Sequence, residues 1–190
     1  MERKVITAAW EEARLHSLRF TMSDVTRRLR MSKSSLYKLV PSKDALIHEM
    51  QSYMIDTSNE KENRIMTSTA PVITKIREMV QVYLEMMQPM AASGYLEDLR
   101  LLYPDEYDRW QEFYTEKVAD VMQLLEQGVR DGIFRPVCLP VVQQCLYVSA
   151  VSLADTDFLK QYNLTHQQAV ETLEDVLFYG LMQTKTDKAD

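Results

Sequence analysis

The sequence predicts an all-α protein: a set of short, closely spaced helices over residues 1–50, followed by a larger helical domain over residues 51–190. Three observations predict it. Apolar residues recur at intervals of three and four along most of the chain, and no run alternates with the period of a strand. Hydroxyl residues stand just before several of those runs, at helix-starting positions. Only 4 Gly and 6 Pro interrupt 190 residues, and with 46% hydrophobic residues the chain can bury a core rather than remain disordered.

Val5, Ile6, Ala9, Trp10 and Ala13 form one face of a first helix ending near His16. Thr21, with Asp24 three residues on, is a capping-box-like start for a second helix, whose inward residues are Val25 and Leu29. Ser32 reads as the N-cap of a third helix, with Leu36 and either Leu39 or Val40 facing in, and Pro41 stops it. Ser42 caps a fourth, with Ala45, Leu46, Met50, Tyr53 and Met54 on its apolar side, running at least to the late fifties. The polar "DTSNEKEN" of residues 56–63 is either the exposed tail of that helix or the seam between two domains.

From Pro71 the helices lengthen. Val72, Ile76, Met79, Val80, Tyr83, Leu84 and Met87 form a helix ending before Pro89 and Gly94, and a short piece follows around Leu96–Leu102. Pro104, well placed at a first helical position, opens a helix that runs to Gly132 as its C-cap. "FRPVCLP" is a break. Val141–Leu153 is apolar nearly all round, which predicts burial on more than one side. Thr165 and Gln168 form another capping box. Ala169, Val170, Leu173, Val176, Leu177, Gly180 and Leu181 hold one face of the last helix.

Net charge is −6, but it is unevenly spread: residues 1–50 hold ten Lys or Arg against six acids, so the surplus of acid lies entirely beyond them. A basic module on an acidic body suits a polyanionic partner. Two short helices joined by a tight turn, braced by a helix on either side, make a helix-turn-helix. With the third helix in a major groove, Ser32, Lys33, Ser34 and Ser35 face base edges, Lys33 able to donate to guanine and the serines to either kind of edge. Thr21 at one helix start and Ser42 with Lys43 at another offer donors to phosphates, and Tyr37 and Lys38 reach the backbone beside the groove.

The stretch "FTMSDVTRRLRMSKSSLYKLVPSKDALI", residues 20–47, resembles the DNA-binding segment of the TetR/AcrR family of bacterial transcriptional regulators. Thr21, Asp24, Val25, Ser32, Lys33, Leu36, Tyr37, Ser42, Lys43 and Leu46 match that family's pattern in order and spacing. Thr26 stands where a small alanine is usual, Val40 where phenylalanine is common, and Arg30 where glycine often forms the turn, a place where a side chain must take a conformation that glycine takes freely. The resemblance implies an N-terminal three-helix helix-turn-helix DNA-binding domain joined to a larger helical regulatory and dimerisation domain. It further implies a regulator, a repressor rather than an activator, that binds palindromic operator DNA as a homodimer and is released by a small-molecule effector. The alternative is an effector-binding helical protein that has lost sequence-specific DNA binding.

Met79, Tyr83, Met86, Tyr103, Trp110, Tyr114 and Tyr147, on the middle helices, are either ordinary core or the adaptable lining of an effector pocket. Val142, Cys145, Leu146, Ser149, Leu173, Val176, Leu177 and Gly180 are either intramolecular core or an isologous four-helix interface between two copies. Cys138 and Cys145, seven apart on what reads as one helix, cannot bridge each other. His16, His48 and His166 have no ligand spacing, so neither metal nor cofactor is expected. No nucleotide loop, nucleophile elbow or zinc-protease signature occurs, which argues against an enzyme. Neither a signal peptide nor a membrane-length apolar run is visible, and a cytoplasmic protein with no membrane partner is the expectation.

Overall fold

The computed structural model describes residues 2–87, 90, 94–153 and 156–182. Their regular elements are helices: α1 (Arg3–His16), a 3-10 turn (Ser17–Arg19), α2 (Met22–Leu29), α3 (Lys33–Leu39), α4 (Lys43–Thr67), α5 (Val72–Met87), α6 (Tyr95–Leu102), α7 (Pro104–Arg130), α8 (Leu139–Leu153), α9 (Thr156–Gln161) and α10 (His166–Leu181). The all-α expectation holds, with an isolated bridge between Phe134 and Met182 as the one β-type pairing among the described residues. Pro89, expected just past the end of α5, lies outside them. The chain divides into two compact units, Met1–Lys61 with Glu85–Thr115, and Glu62–Leu84 with Glu116–Asp190. The helix-turn-helix segment of residues 1–50 is therefore part of a larger first unit.

In that first unit, α1 buries Val5, Ile6, Ala9 and Ala13, the face its spacing gives. Its end is marked by Ser17 at φ +53°, where a glycine would be at ease. The capping box at α2 is complete: the Asp24 N–H reaches Thr21 Oγ1 at 3.3 Å and the Thr21 N–H reaches Asp24 Oδ2 at 2.8 Å. Thr26, in place of the usual alanine, fits at 7% exposure by donating its hydroxyl to the Ser23 carbonyl at 2.9 Å. Arg28 ties α2 to α1 through Glu12 at 2.6 Å and Glu11 at 2.7 Å.

The turn after α2 closes on Arg30, at φ +52° and ψ +42°. Its N–H bonds the Arg27 carbonyl at 3.2 Å, and the Met31 N–H bonds the Thr26 carbonyl at 3.0 Å, which is the Schellman pattern. A side chain in this left-handed conformation costs about 1–2 kcal/mol, part of which glycine would return as unfolded-state entropy. Arg30→Gly is therefore expected to raise the unfolding free energy by about 0.5–1 kcal/mol, read from urea denaturation.

The tail of α4 takes in "DTSNEKEN", helical throughout with Ser58 and Glu62 buried rather than exposed, and the division between the two compact units also falls within that stretch, after Lys61. Its inward positions at helical spacing are Gln51, Met54, Ser58, Glu62 and Ile65, all buried. Three of those five are polar, so apolar periodicity alone could not follow the helix to Thr67. The core of the second unit gathers Ile76, Met79, Leu84, Leu124, Leu125 and Phe134 among others. Gly128 on α7 lies directly under the Phe134 ring, which occupies the space a Cβ would need.

Two expectations about α8 are corrected. Cys138 is not on the helix: it precedes Leu139, and its carbonyl accepts the Val141 and Val142 N–H groups at 3.0 and 3.2 Å. Nor is α8 buried on several sides. Val142 and Leu146 lean on the core, while Val141 and Val148 are 57% and 53% exposed. Its apolar composition predicts burial, but this outer face is not covered by the other described residues.

Candidate nucleic-acid interface

The third helix is fixed from one side only. Leu36 and Val40 are buried to 0% and 1% exposure, so the choice between Leu39 and Val40 falls to Val40, and Leu39 stays exposed. Burying a leucine fully contributes roughly 2 kcal/mol, enough to set the orientation of a seven-residue helix that could not stand alone. With Leu36 inward, Lys33, Ser34, Tyr37 and Lys38 fall on one outer face, all exposed. That face carries two ammonium groups, a phenol and a hydroxyl, and α3 contains no acidic residue.

The serines at its start are joined to one another. Ser32 Oγ accepts the Ser35 N–H at 3.1 Å and lies 2.9 Å from Ser34 Oγ and 2.8 Å from Ser35 Oγ. A hydroxyl cluster of this kind can turn its protons toward either donors or acceptors on a base edge. The side chains of Lys33, Tyr37 and Lys38 make no hydrogen bond or ion pair with other described residues, so their polar ends are available to a partner.

The residues expected to meet phosphates divide. Ser42 accepts the Ala45 N–H at 3.0 Å, capping α4 and leaving its own proton to give. Thr21 spends its proton on Asp24, 2.7 Å away, and that bond, with the Thr21 N–H, holds the Asp24 carboxyl below the usual carboxylate range. Lys43 turns inward: Nζ donates to the Leu18 carbonyl at 2.6 Å and stands 4.9 Å from the centre of the Phe20 ring. Partial burial pushes its pKa down. Sequence spacing places Lys43 at a helix start but carries no information that a carbonyl 25 residues earlier waits for it.

One tie in this unit has no signal in the sequence. Arg19 Nε lies 3.1 and 3.2 Å from the two carboxylate oxygens of Asp98 on α6, with Nη2 3.0 Å from Oδ1. The Arg19 guanidinium holds the Asp98 carboxyl below the usual carboxylate range. The two residues are 79 apart in the chain, and neither belongs to a local motif.

The candidate effector residues fall in both compact units. In the first, Met86 and Trp110 are buried, Tyr103 and Tyr114 half-buried, and Trp110 stacks on Tyr114 at 5.4 Å. In the second, Met79 belongs to the core, Tyr83 packs against it, and Tyr147 is half-buried on α8. Of the interface candidates, Val142, Leu146, Ser149, Leu173 and Leu177 are half-buried, whereas Cys145, Val176 and Gly180 are exposed. Val142, Val176, Leu177 and Gly180 also line an open apolar groove of about 410 Å³, which takes in none of the effector candidates. No group of His, Cys, Asp and Glu among the described residues could hold a metal ion, and no described helix is long and apolar enough to cross a membrane.

No protein-family model matches the chain. An uncharacterized HTH-type transcriptional regulator, YvaF of Bacillus subtilis (strain 168), is 23% identical over 192 residues, which cover 100% of this chain and 99% of that protein. The structure of the ketosteroid transcriptional regulator KstR2 of Mycobacterium tuberculosis superposes with a TM-score of 0.78 at 18% identity, covering 96% of each chain. The TetR family transcriptional regulator PfmR of Thermus thermophilus superposes with a TM-score of 0.71 at 14% identity, covering 96% of this chain and 100% of that one.

Proposed function

We propose that this chain, which has the all-helical fold of the TetR-type transcriptional regulators, is itself a homodimeric, DNA-binding regulator of transcription, and a repressor. The observation that carries the reading is the outer face of α3, where Lys33, Ser34, Tyr37 and Lys38 stand exposed and unopposed by acid while Leu36 anchors the helix from behind. Helices presented in this way read base edges through their first residues, and Ser42 at the start of α4 keeps a proton to give to a phosphate. Two copies joined through α8 and α10 would set two such helices about one duplex turn, roughly 34 Å, apart on a palindromic operator. Exposed Val141, Val148, Val176 and Tyr179, with the open surface at Gly180, support those helices as the interface.

A small-molecule effector in the helical body releases the operator by binding more tightly to protomer spacings that do not fit it, and the size of that difference limits the response. Superposing regulators solved in complex with stearoyl-CoA and with choline support an effector of small-molecule size. In this reading the protein works in the cytoplasm and acts by binding rather than by catalysis. The rival reading, an effector-binding protein without operator specificity, draws on the altered turn. That turn closes with Arg30 in the left-handed region and both of its hydrogen bonds made, so it does not favour the rival.

The test is Lys33→Ala titrated by fluorescence anisotropy against operator and scrambled duplexes. The expected result is a loss of about 1–3 kcal/mol of discrimination, with preference relaxed at one base position rather than affinity lowered evenly. An even loss across sequences would make Lys33 a phosphate contact and would take base reading away from the start of α3.

A further inference from the structure

The segment Ser17–Phe20 is held from three directions. Ser17 sits at φ +53° and ψ −151°, a backbone state that a side chain keeps only when its surroundings hold it there. Leu18 is fully buried, and its carbonyl accepts the Lys43 ammonium from the first residue of α4. Phe20 is 1% exposed beneath the same ammonium. Thr21, the next residue, caps α2. The two helix starts that flank α3 are therefore both referred to this one segment.

Arg19 in the middle of the segment joins it to α6 through Asp98, on which the Ser17 side chain and the Leu18 backbone also bear. Its guanidinium makes three contacts of 3.0–3.2 Å with Asp98, which is only 4% exposed and has no other cation within ion-pair distance among the described residues. A buried carboxylate that loses such a partner must find water or move. Trp10 stacks on Tyr95, one turn earlier on α6, at 5.5 Å, so α6 also meets α1 beside this point.

We propose that Asp98 is a positioning residue for DNA binding: through Arg19 it fixes the Ser17–Phe20 segment, and with it the starts of α2 and α4 on either side of α3. It touches no DNA itself. The proposal rests on the operator-binding reading given above. Arg19, largely exposed and beside a helix start, has a second conceivable use as a direct phosphate ligand, and the two roles make opposite predictions for the carboxylate. If Arg19 is a ligand, Asp98 competes with DNA for it and removing the charge helps binding; if Asp98 positions the segment, removing the charge harms it.

The experiment uses the full chain and a duplex selected by the wild type from randomised DNA. Asp98→Asn, Arg19→Gln and the double variant are titrated by anisotropy over a range of salt, with thermal unfolding of each recorded beside them. The expected result is a loss of about tenfold in operator affinity for either single change, no further loss in the double variant, and an unchanged salt slope. Three results would overturn it. Asp98→Asn could bind as well as wild type or better; Arg19→Gln alone could weaken binding and lower the salt slope by about one, as a phosphate ligand would; or melting temperatures could fall with affinity intact, as a merely structural tie would have it. A wild type that selects no duplex would remove the regulator reading and this proposal with it, whereas normal wild-type binding beside insensitive variants removes the proposal alone.

Discussion

A Ser35→Glu variant is expected to bind operator DNA at least about a hundredfold more weakly than wild type, while its fold becomes slightly more stable. The two effects come from one position. Ser35 is the third residue of α3, and its N–H already bonds Ser32 Oγ at 3.1 Å. A glutamate there can reach back to the Ser32 N–H and complete a capping box, and its charge favours a helix N-terminus, together worth about 0.5 kcal/mol. On DNA the same charge faces a polyanion from the helix end that enters the groove, a like-charge approach costing several kcal/mol. Urea denaturation and anisotropy on the same preparation separate the two. Loss of binding with loss of fold would mean that Ser35 is structural, and unchanged binding would mean that α3 is not the groove element.

The largest effect on stability is expected from Lys117→Ala. Lys117 Nζ stands 2.6 Å from Glu62 Oε2 in the second unit, and both side chains are at or below 13% exposure. Removing the lysine strands a buried carboxylate, a loss of about 3–5 kcal/mol, whereas Glu62→Gln with Lys117→Met replaces both charges and should cost far less. The penalty depends on pH in a definite direction. Burial pushes the Glu62 carboxyl above its usual range, with the Lys117 bond opposing, and the variant keeps only the influences that raise it. A carboxyl raised in the folded state takes up a proton on folding, so its contribution is intact below the unfolded pKa and is lost as pH rises through the folded one. Lys117→Ala should be weakest near neutral pH and recover as pH falls toward the ordinary glutamate range; a deficit that does not shrink on acidification would contradict this.

How far the chain can be read from its sequence follows from where its information lies. The capping boxes at Thr21 and Thr165, the stop at Pro41 and the start at Pro104 are local, and each falls where expected because a side chain within four residues determines it. The tail of α4 is ambiguous in sequence because its inward positions include Gln51, Ser58 and Glu62, and partners come from elsewhere in the chain, such as Tyr95 for Gln51 and Lys117 for Glu62. The outer face of α3 is legible residue by residue. The inward turn of Lys43 and the grip of Asp98 on Arg19 are not, since neither contact has a local pattern. The exposure of α8 escapes the sequence because apolar composition says that a surface wants covering without saying which molecule covers it.

The most direct measurement is selection of the purified protein on randomised duplex DNA. The expected result is enrichment of a palindrome whose half-sites are about one helical turn apart, bound as a dimer with a salt slope of several charges. Salt-sensitive binding with no enriched sequence would contradict it, leaving a basic helical module that holds DNA without reading it.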